Sequence, residues 1–261
     1  MPSEILIDAV LAGILATLAC GLGVLPLLAK QLDPAKHTGV GYGFAGGLMF
    51  SASVYNLILP GLDLGRKGWD LQDVLPIIAG ILLGSVFLAL VEKHLHQEAG
   101  QNESKRSKRW GGRTGLLVLL AMTVHSIPEG VAVGVGYTSD AVGEPGGNLG
   151  PTLALAIAIH NIPEGLAVAI PLRSAGASIG RCFGAAVFTS LPQPIAAVPA
   201  VLLAWFFQPL MPLLMGFAAG AMIFLVILEL IPEALHTASP AKIAWAFVSG
   251  FCLMMLVQVV L

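Results

Sequence analysis

Histidine and glutamate recur four residues apart at two places in long apolar stretches of the chain. The segment His125-Ser-Ile-Pro-Glu-Gly130 is matched by His160-Asn-Ile-Pro-Glu-Gly165. Residues four apart share one face of an α-helix, so each copy presents an imidazole and a carboxylate in the same direction. Together these groups suit divalent metals such as zinc, iron, manganese or cobalt. If the two helices face each other, four metal ligands converge on one point: His125, Glu129, His160 and Glu164.

Composition places these residues in a membrane. The chain has 261 residues, of which 56% are hydrophobic and 11% are charged, whereas a soluble domain carries about a quarter charged residues. A protein this apolar needs lipid as its solvent. The net charge of −2 provides no basic surface for nucleic acid. The three cysteines form no CxxC pair, and we interpret them as small packing residues.

Hydropathy predicts an all-α integral membrane protein that forms one transmembrane domain over residues 1–261. About eight spans are expected, and they lie near residues 5–29, 40–60, 74–92, 114–136, 151–171, 180–206, 211–233 and 241–260. The longest polar stretch between spans covers about 93–113.

The positive charges are biased to one side of this arrangement. Eleven of the 13 Lys and Arg residues fall in the loops after spans one, three, five and seven. Only Arg66 and Lys67 fall on the other side. Because cytoplasmic loops carry the excess of Lys and Arg, we expect the first side, including the loop at 93–113, to be cytoplasmic. Both termini then face away from the cytoplasm.

Glu129 and Glu164 lie deep in predicted spans four and five, and neither span contains Lys or Arg. An ionisable residue at this depth is costly, so each glutamate must be protonated or must face a bound cation. A single buried His or Glu is commonly a packed, hydrogen-bonded residue, whereas two copies on neighbouring spans favour a bound metal. Pro128 and Pro163 should also kink the two helices beside these residues and free a backbone carbonyl in each.

A second repeat relates spans two and seven. Gly43-Phe-Ala-Gly-Gly-Leu-Met-Phe50 resembles Gly216-Phe-Ala-Ala-Gly-Ala-Met-Ile223, and the two spans run in opposite directions. Inverted repeats are typical of transporters, which bind their substrates near the bilayer midplane. We therefore expect spans 1–3 and 6–8 to be inverted repeats around spans 4–5, although shared packing needs can also produce a short glycine-rich match.

With both HxxPEG segments and the stretch from Gly220 to Glu233, the sequence resembles the ZIP (Zrt/Irt-like) family, and in particular its bacterial, GufA-like members. The resemblance covers nearly the whole chain. It implies an eight-helix bundle in which spans four and five supply a transport site made of the His and Glu residues of the two repeats. It also implies a sulfur ligand from Met49 in span two, where packing is the alternative role.

The resemblance further implies a second metal beside the first. Its additional ligands would be Ser126, Asn161 and Gln193, but this chain departs from the family pattern there: Ser126 stands where Asn is common, and Gln193 stands where Glu is often found. We therefore expect one strong site and a weak or absent second site. Gln193 can instead satisfy backbone groups that the neighbouring prolines leave without partners.

Other polar residues are expected along the ion's route. Ser53 and Asn56 would line the pathway in span two. Glu229 and Glu233 would either border the inner exit or hold helix ends. His94 and His96 would collect metal in the cytoplasmic loop, or would simply be solvated.

The function expected from the resemblance is transport of a divalent cation, zinc first among zinc, iron, manganese, cobalt and cadmium, towards the cytoplasm. Spans one, four, five and six would slide as a unit. A bacterial inner membrane and a homodimer are also expected. The rival functions are an intramembrane metalloenzyme and a metal-sensing membrane protein, but the chain has no HExxH motif and no separate candidate base.

Overall fold

In the computed structural model, residues 2–28, 34–63, 70–101, 112–143 and 148–260 are described, and this part of the chain contains helices and turns but no strand. The α-helices are α1 (Pro2–Leu22), α2 (Pro34–Ala52), α3 (Leu59–Asp63), α4 (Leu71–Gln101), α5 (Gly112–Ala141), α6 (Leu149–Ser174), α7 (Ile179–Ser190), α8 (Pro192–Phe206), α9 (Met211–Leu225), α10 (Ile231–Leu235) and α11 (Pro240–Val260).

Seven helical stretches of the described residues are long and apolar enough to cross a membrane. They are Ser3–Leu28, Thr38–Asp63, Leu71–His94, Leu149–Ser174, Ile179–Phe206, Gln208–Leu235 and Pro240–Gln258. The expected all-α membrane architecture is therefore confirmed. The fourth expected span corresponds to α5, which is 30 residues long but is not among the seven, so the count of eight stays a prediction.

Two elements differ from the sequence-based expectation. Helix α4 continues to Gln101, so the first part of the expected loop at 93–113 is helical; residues 102–111 lie outside the described part. The expected sixth span consists of two helices, which meet at Leu191. Pro192 causes this break because proline has no backbone N–H to donate, and its fixed φ suits the first turn of a new helix.

Glycines determine how closely the helices pack. Helices α4 and α9 cross where a Cβ atom at Gly84 would collide with the carbonyl oxygen of Phe217, and one at Gly220 with that of Ile81. Helices α2 and α11 cross in the same way, at Gly47 and Gly250. Only glycine allows backbones to approach this closely, as is common between membrane helices.

The two glycine-rich segments are followed by matching irregularities. A π-helical turn at Ser53–Ile58 joins α2 to α3, and another at Val226–Leu230 joins α9 to α10. Ser53 follows Gly43 at the same distance as Val226 follows Gly216. π-Helical turns are rare and occur frequently at functional sites. Their matched positions support the inverted repeat, which remains a prediction.

Candidate metal site

Three of the four expected ligands lie together in the centre of the bundle. Glu129 on α5 and His160 and Glu164 on α6 each offer a ligand atom, and these atoms lie within 4.8 Å of one another. All three residues are buried. His160 and Glu164 share one face of α6 because they are one turn apart, and Glu129 approaches them from the neighbouring helix. The side chain of His125 lies outside the described part of the structure.

His160 is the centre of this group. Its Nε2 lies 2.7 Å from Oε1 of Glu129 and 4.0 Å from Oε1 of Glu164. At this distance the two atoms share one hydrogen bond, and the proton in it belongs to the imidazole or to the carboxyl group. A divalent cation would replace this proton, since imidazole nitrogen and carboxylate oxygen are both ligands of zinc and similar metals.

The glycine that ends each HxxPEG segment brings a further helix next to a ligand. A Cβ atom at Gly130 would collide with the carbonyl oxygen of Gln193 on α8, and one at Gly165 with that of Cys20 on α1. Helices α5 and α6 therefore each pack at backbone contact against a further helix immediately beside Glu129 or Glu164. The glycines of the repeats thus have a packing role that the sequence reasoning did not assign to them.

Two of the residues expected at a second metal site instead form hydrogen bonds around Glu129. The amide nitrogen of Gln193 donates to Oε2 of Glu129. Asn161 Nδ2 donates to Gln193 Oε1 at 3.1 Å and to the carbonyl oxygen of Ala16 at 2.9 Å. The third residue, Ser126, donates to the carbonyl oxygen of Met122 at 3.2 Å.

The residues expected in span two are buried. Met49 is fully enclosed in the apolar core, and its part as a sulfur ligand remains a prediction. Ser53 donates to the Met49 carbonyl oxygen at 2.8 Å. The amide of Asn56 and the hydroxyl of Ser51 are buried, with no hydrogen-bond partner among the described residues. Unsatisfied polar groups in a membrane interior are costly, so these two residues favour a water or ion path here.

The acidic residues expected on the inner side are not part of the central group. Glu229 and Glu233 are half-buried. Glu229 is hydrogen-bonded to Glu92 on α4, and both border a small cavity that also touches Val124, the residue before His125. Sequence reasoning missed Glu92; its position where the apolar part of α4 gives way to polar residues was the available signal. His94 is exposed, and the side chain of His96 is not described.

Comparison with known proteins identifies the class. The family model described as ZIP Zinc transporter matches residues 91–258. The zinc transporter GufA of Myxococcus xanthus is 34% identical over 251 residues, covering 93% of this chain and 96% of that protein. The zinc transporter ZIPB of Bordetella bronchiseptica is 35% identical over 263 residues, covering 97% of this chain and 81% of that protein.

A longer relative occurs in Arabidopsis thaliana. It is 40% identical over 228 residues, but this chain spans only 35% of its length. The chain nevertheless belongs to the ZIP family, because the family model matches more than half of its residues and the two bacterial relatives align with nearly its whole length. It is therefore grouped with membrane transporters of divalent metals rather than with enzymes.

Proposed function

We propose that the protein carries zinc across the membrane towards the cytoplasm and that Glu129, His160 and Glu164 bind the ion on its way. The observation that carries this proposal is the burial of all three side chains with their ligand atoms within 4.8 Å of one another. Zinc is the first candidate because GufA and ZIPB are both named zinc transporters. His125, one turn before Glu129, is proposed as the fourth ligand.

The charge of the group suits a divalent cation. Two ionised carboxylates and a neutral imidazole carry a charge of −2, which one zinc ion neutralises. Burying an unpaired charge is far more costly than burying a paired one, so the empty group should hold protons and the occupied group should release them. Metal and protons therefore compete for the same atoms.

Polar residues on either side of the group suit a path for the ion. Ser51 lies on α2, which packs against α6, and Asn56 lies in the π-helical turn that follows α2. Neither side chain has a hydrogen-bond partner among the described residues. Glu92 and Glu229 lie at the other end of the bundle, beside the helix that carries Glu129. We propose that the first pair leads to the binding group and that the second pair leads away from it.

We propose the direction of transport from the distribution of Lys and Arg, and the membrane that contains the protein from its relatives. The bias of Lys and Arg predicts that the acidic pair lies on the cytoplasmic side. Both GufA and ZIPB come from bacteria, and we propose a bacterial inner membrane. The same ligands also suit iron, manganese, cobalt and cadmium. Each of these metals is to be tested as a competitor of zinc uptake. A homodimer remains an expectation.

The proposal is tested by uptake of radioactive zinc into proteoliposomes that contain the purified protein. Wild-type protein should give saturable uptake, and the Glu129→Ala/Glu164→Ala variant should lose it because both carboxylates are gone. The matched control is Glu4→Ala, at an exposed position near the start of α1. Tight zinc binding without any uptake would reject transport and would support the metal-sensing alternative.

A further inference from the structure

A chain of hydrogen bonds joins the metal ligand Glu129 to three other helices. Oε1 of Glu129 is hydrogen-bonded to Nε2 of His160 on α6, and Oε2 accepts a hydrogen bond from the amide nitrogen of Gln193 on α8. Gln193 Oε1 in turn accepts from Asn161 Nδ2, which also donates to the carbonyl oxygen of Ala16 on α1. The side chains of Glu129, Asn161 and Gln193 are all 0% exposed.

The orientation of both amides in this chain is determined by its two ends. Glu129 must be ionised to bind a cation, and an ionised carboxylate only accepts, so the Gln193 atom that faces it is nitrogen, as the structure has it. A backbone carbonyl also only accepts, so the Asn161 atom that faces Ala16 must be nitrogen too. These assignments leave Gln193 Oε1 to accept from Asn161, as the structure has it at 3.1 Å.

We propose that Gln193 is a positioning residue that restricts the site to a single divalent cation. Its amide N–H group occupies the side of Glu129 where a second cation would have to bind. An NH₂ group carries partial positive charge and has no lone pair to offer a metal, so it satisfies Oε2 and excludes a cation at the same time. This inference rests on the proposed function, since it takes Glu129 to be a ligand of the transported ion.

The same contact orients the first binding position. With Oε2 held by Gln193, the carboxylate cannot rotate freely, and Oε1 stays directed towards His160. Groups that hold a metal ligand in place typically change metal affinity or activity by about 10–100-fold when they are removed. Gln193 should therefore affect both the number of ions bound and the strength with which the first is bound.

The experiment counts zinc ions per protomer in protein reconstituted in lipid nanodiscs, by equilibrium dialysis and elemental analysis, with dissociation constants from calorimetry. Wild-type protein should bind one zinc ion. Gln193→Glu should bind two, because a second carboxylate replaces the N–H group beside Glu129. Gln193→Leu should bind one, with Kd raised about 10–100-fold. A purely structural role of Gln193 would not change the number of ions.

Gln258→Glu is the matched control, because it places the same substitution at another largely buried glutamine, on α11; one zinc with unchanged Kd is expected. Two zinc ions in the wild type, or one zinc at wild-type affinity in both Gln193 variants, would overturn the inference and leave transport intact. A wild type that binds no zinc would overturn the proposed site itself. If Gln193→Glu does not fold, as judged by thermal melting, the wild-type count and the Kd of Gln193→Leu still decide the question.

Discussion

Burial should make the three central residues, if they bind the ion as proposed, both strong and selective ligands. In water an exposed carboxylate binds cations weakly, but in a low-dielectric interior charged groups interact far more strongly. Glu129 and His160 are both 0% exposed and Glu164 is 3% exposed, so a cation that enters this group must lose water. His160 supplies the one nitrogen among the described ligands, and nitrogen favours zinc over harder ions.

His160→Gln should therefore weaken zinc transport more than manganese transport. The change keeps both carboxylates, which suit manganese, and removes the imidazole, which suits zinc. Loss of a group that merely holds a metal ligand in place lowers metal affinity by about 10–100-fold. Because His160→Gln removes a ligand itself, the KM for zinc should rise by at least as much. The measurement is uptake of each metal alone and in competition. His236→Gln, at an exposed position, should leave both unchanged; an equal loss for the two metals would show that His160 does not set selectivity.

The spacing of four residues was sufficient to predict that His160 and Glu164 share a face, and the repeat was sufficient to add Glu129. The contact of Gln193 with Glu129 was not predictable in this way, since it joins positions 64 residues apart. Whether Gln193 ligates a metal or replaces one depends on which amide atom faces the carboxylate. That choice is fixed only when α1, α6 and α8 are packed together.

At the scale of elements, hydropathy predicted where apolar helices lie but not where they are irregular. The π-helical turns at Ser53–Ile58 and Val226–Leu230 change the backbone hydrogen-bond pattern without interrupting the apolar sequence, so hydropathy does not detect them. The end of α7 at Ser190 does have a local signal, because a proline follows at 192 and another at 194. Helix α5 continues through Pro128 and helix α6 through Pro163, so a proline alone does not predict that a helix ends.

The close crossings predict which glycines the fold requires. Gly84→Ala should destabilise the protein by about 1–3 kcal/mol, the usual range for overpacking, because the added methyl group would collide with the Phe217 carbonyl oxygen where α4 meets α9. Gly184→Ala on α7 is the matched control, since no described atom beyond its own helix lies within 4 Å of a Cβ atom built there; it should leave stability unchanged or raise it by up to about 1 kcal/mol, because alanine favours a helix interior over glycine. Thermal unfolding of both variants in the same detergent measures the difference. Equal melting temperatures would contradict the crossing.

At the scale of the whole molecule, the buried side-chain hydrogen bonds between helices are concentrated in one set of helices. Buried polar contacts link α1, α5, α6 and the α7–α8 pair: besides the chain through Gln193, Thr17 on α1 donates to the carbonyl oxygen of Ser190 at 2.9 Å. Backbone contacts at glycine pair α2 with α11 and α4 with α9, and they also occur inside the first set, at Gly130 and Gly165. One buried hydrogen bond, from the Tyr42 hydroxyl on α2 to the Ala167 carbonyl oxygen on α6 at 3.4 Å, joins the two sets. The hydrogen-bonded group corresponds to spans one, four, five and six, which supports the expectation that these spans move together.

The orientation of the molecule decides which end of the path faces the cytoplasm, and the bias of 11 of the 13 Lys and Arg residues predicts this orientation. In spheroplasts, a membrane-impermeant maleimide should label Ser3→Cys from outside and should label Ser107→Cys only after permeabilisation, because Ser107 lies in the basic stretch expected in the cytoplasm. The background for both variants replaces the three native cysteines with alanine: Cys20, Cys182 and Cys252. Labelling of Ser107→Cys in sealed spheroplasts would reverse the orientation, place the pair Glu92 and Glu229 on the outer side, and turn the proposed exit into an entrance.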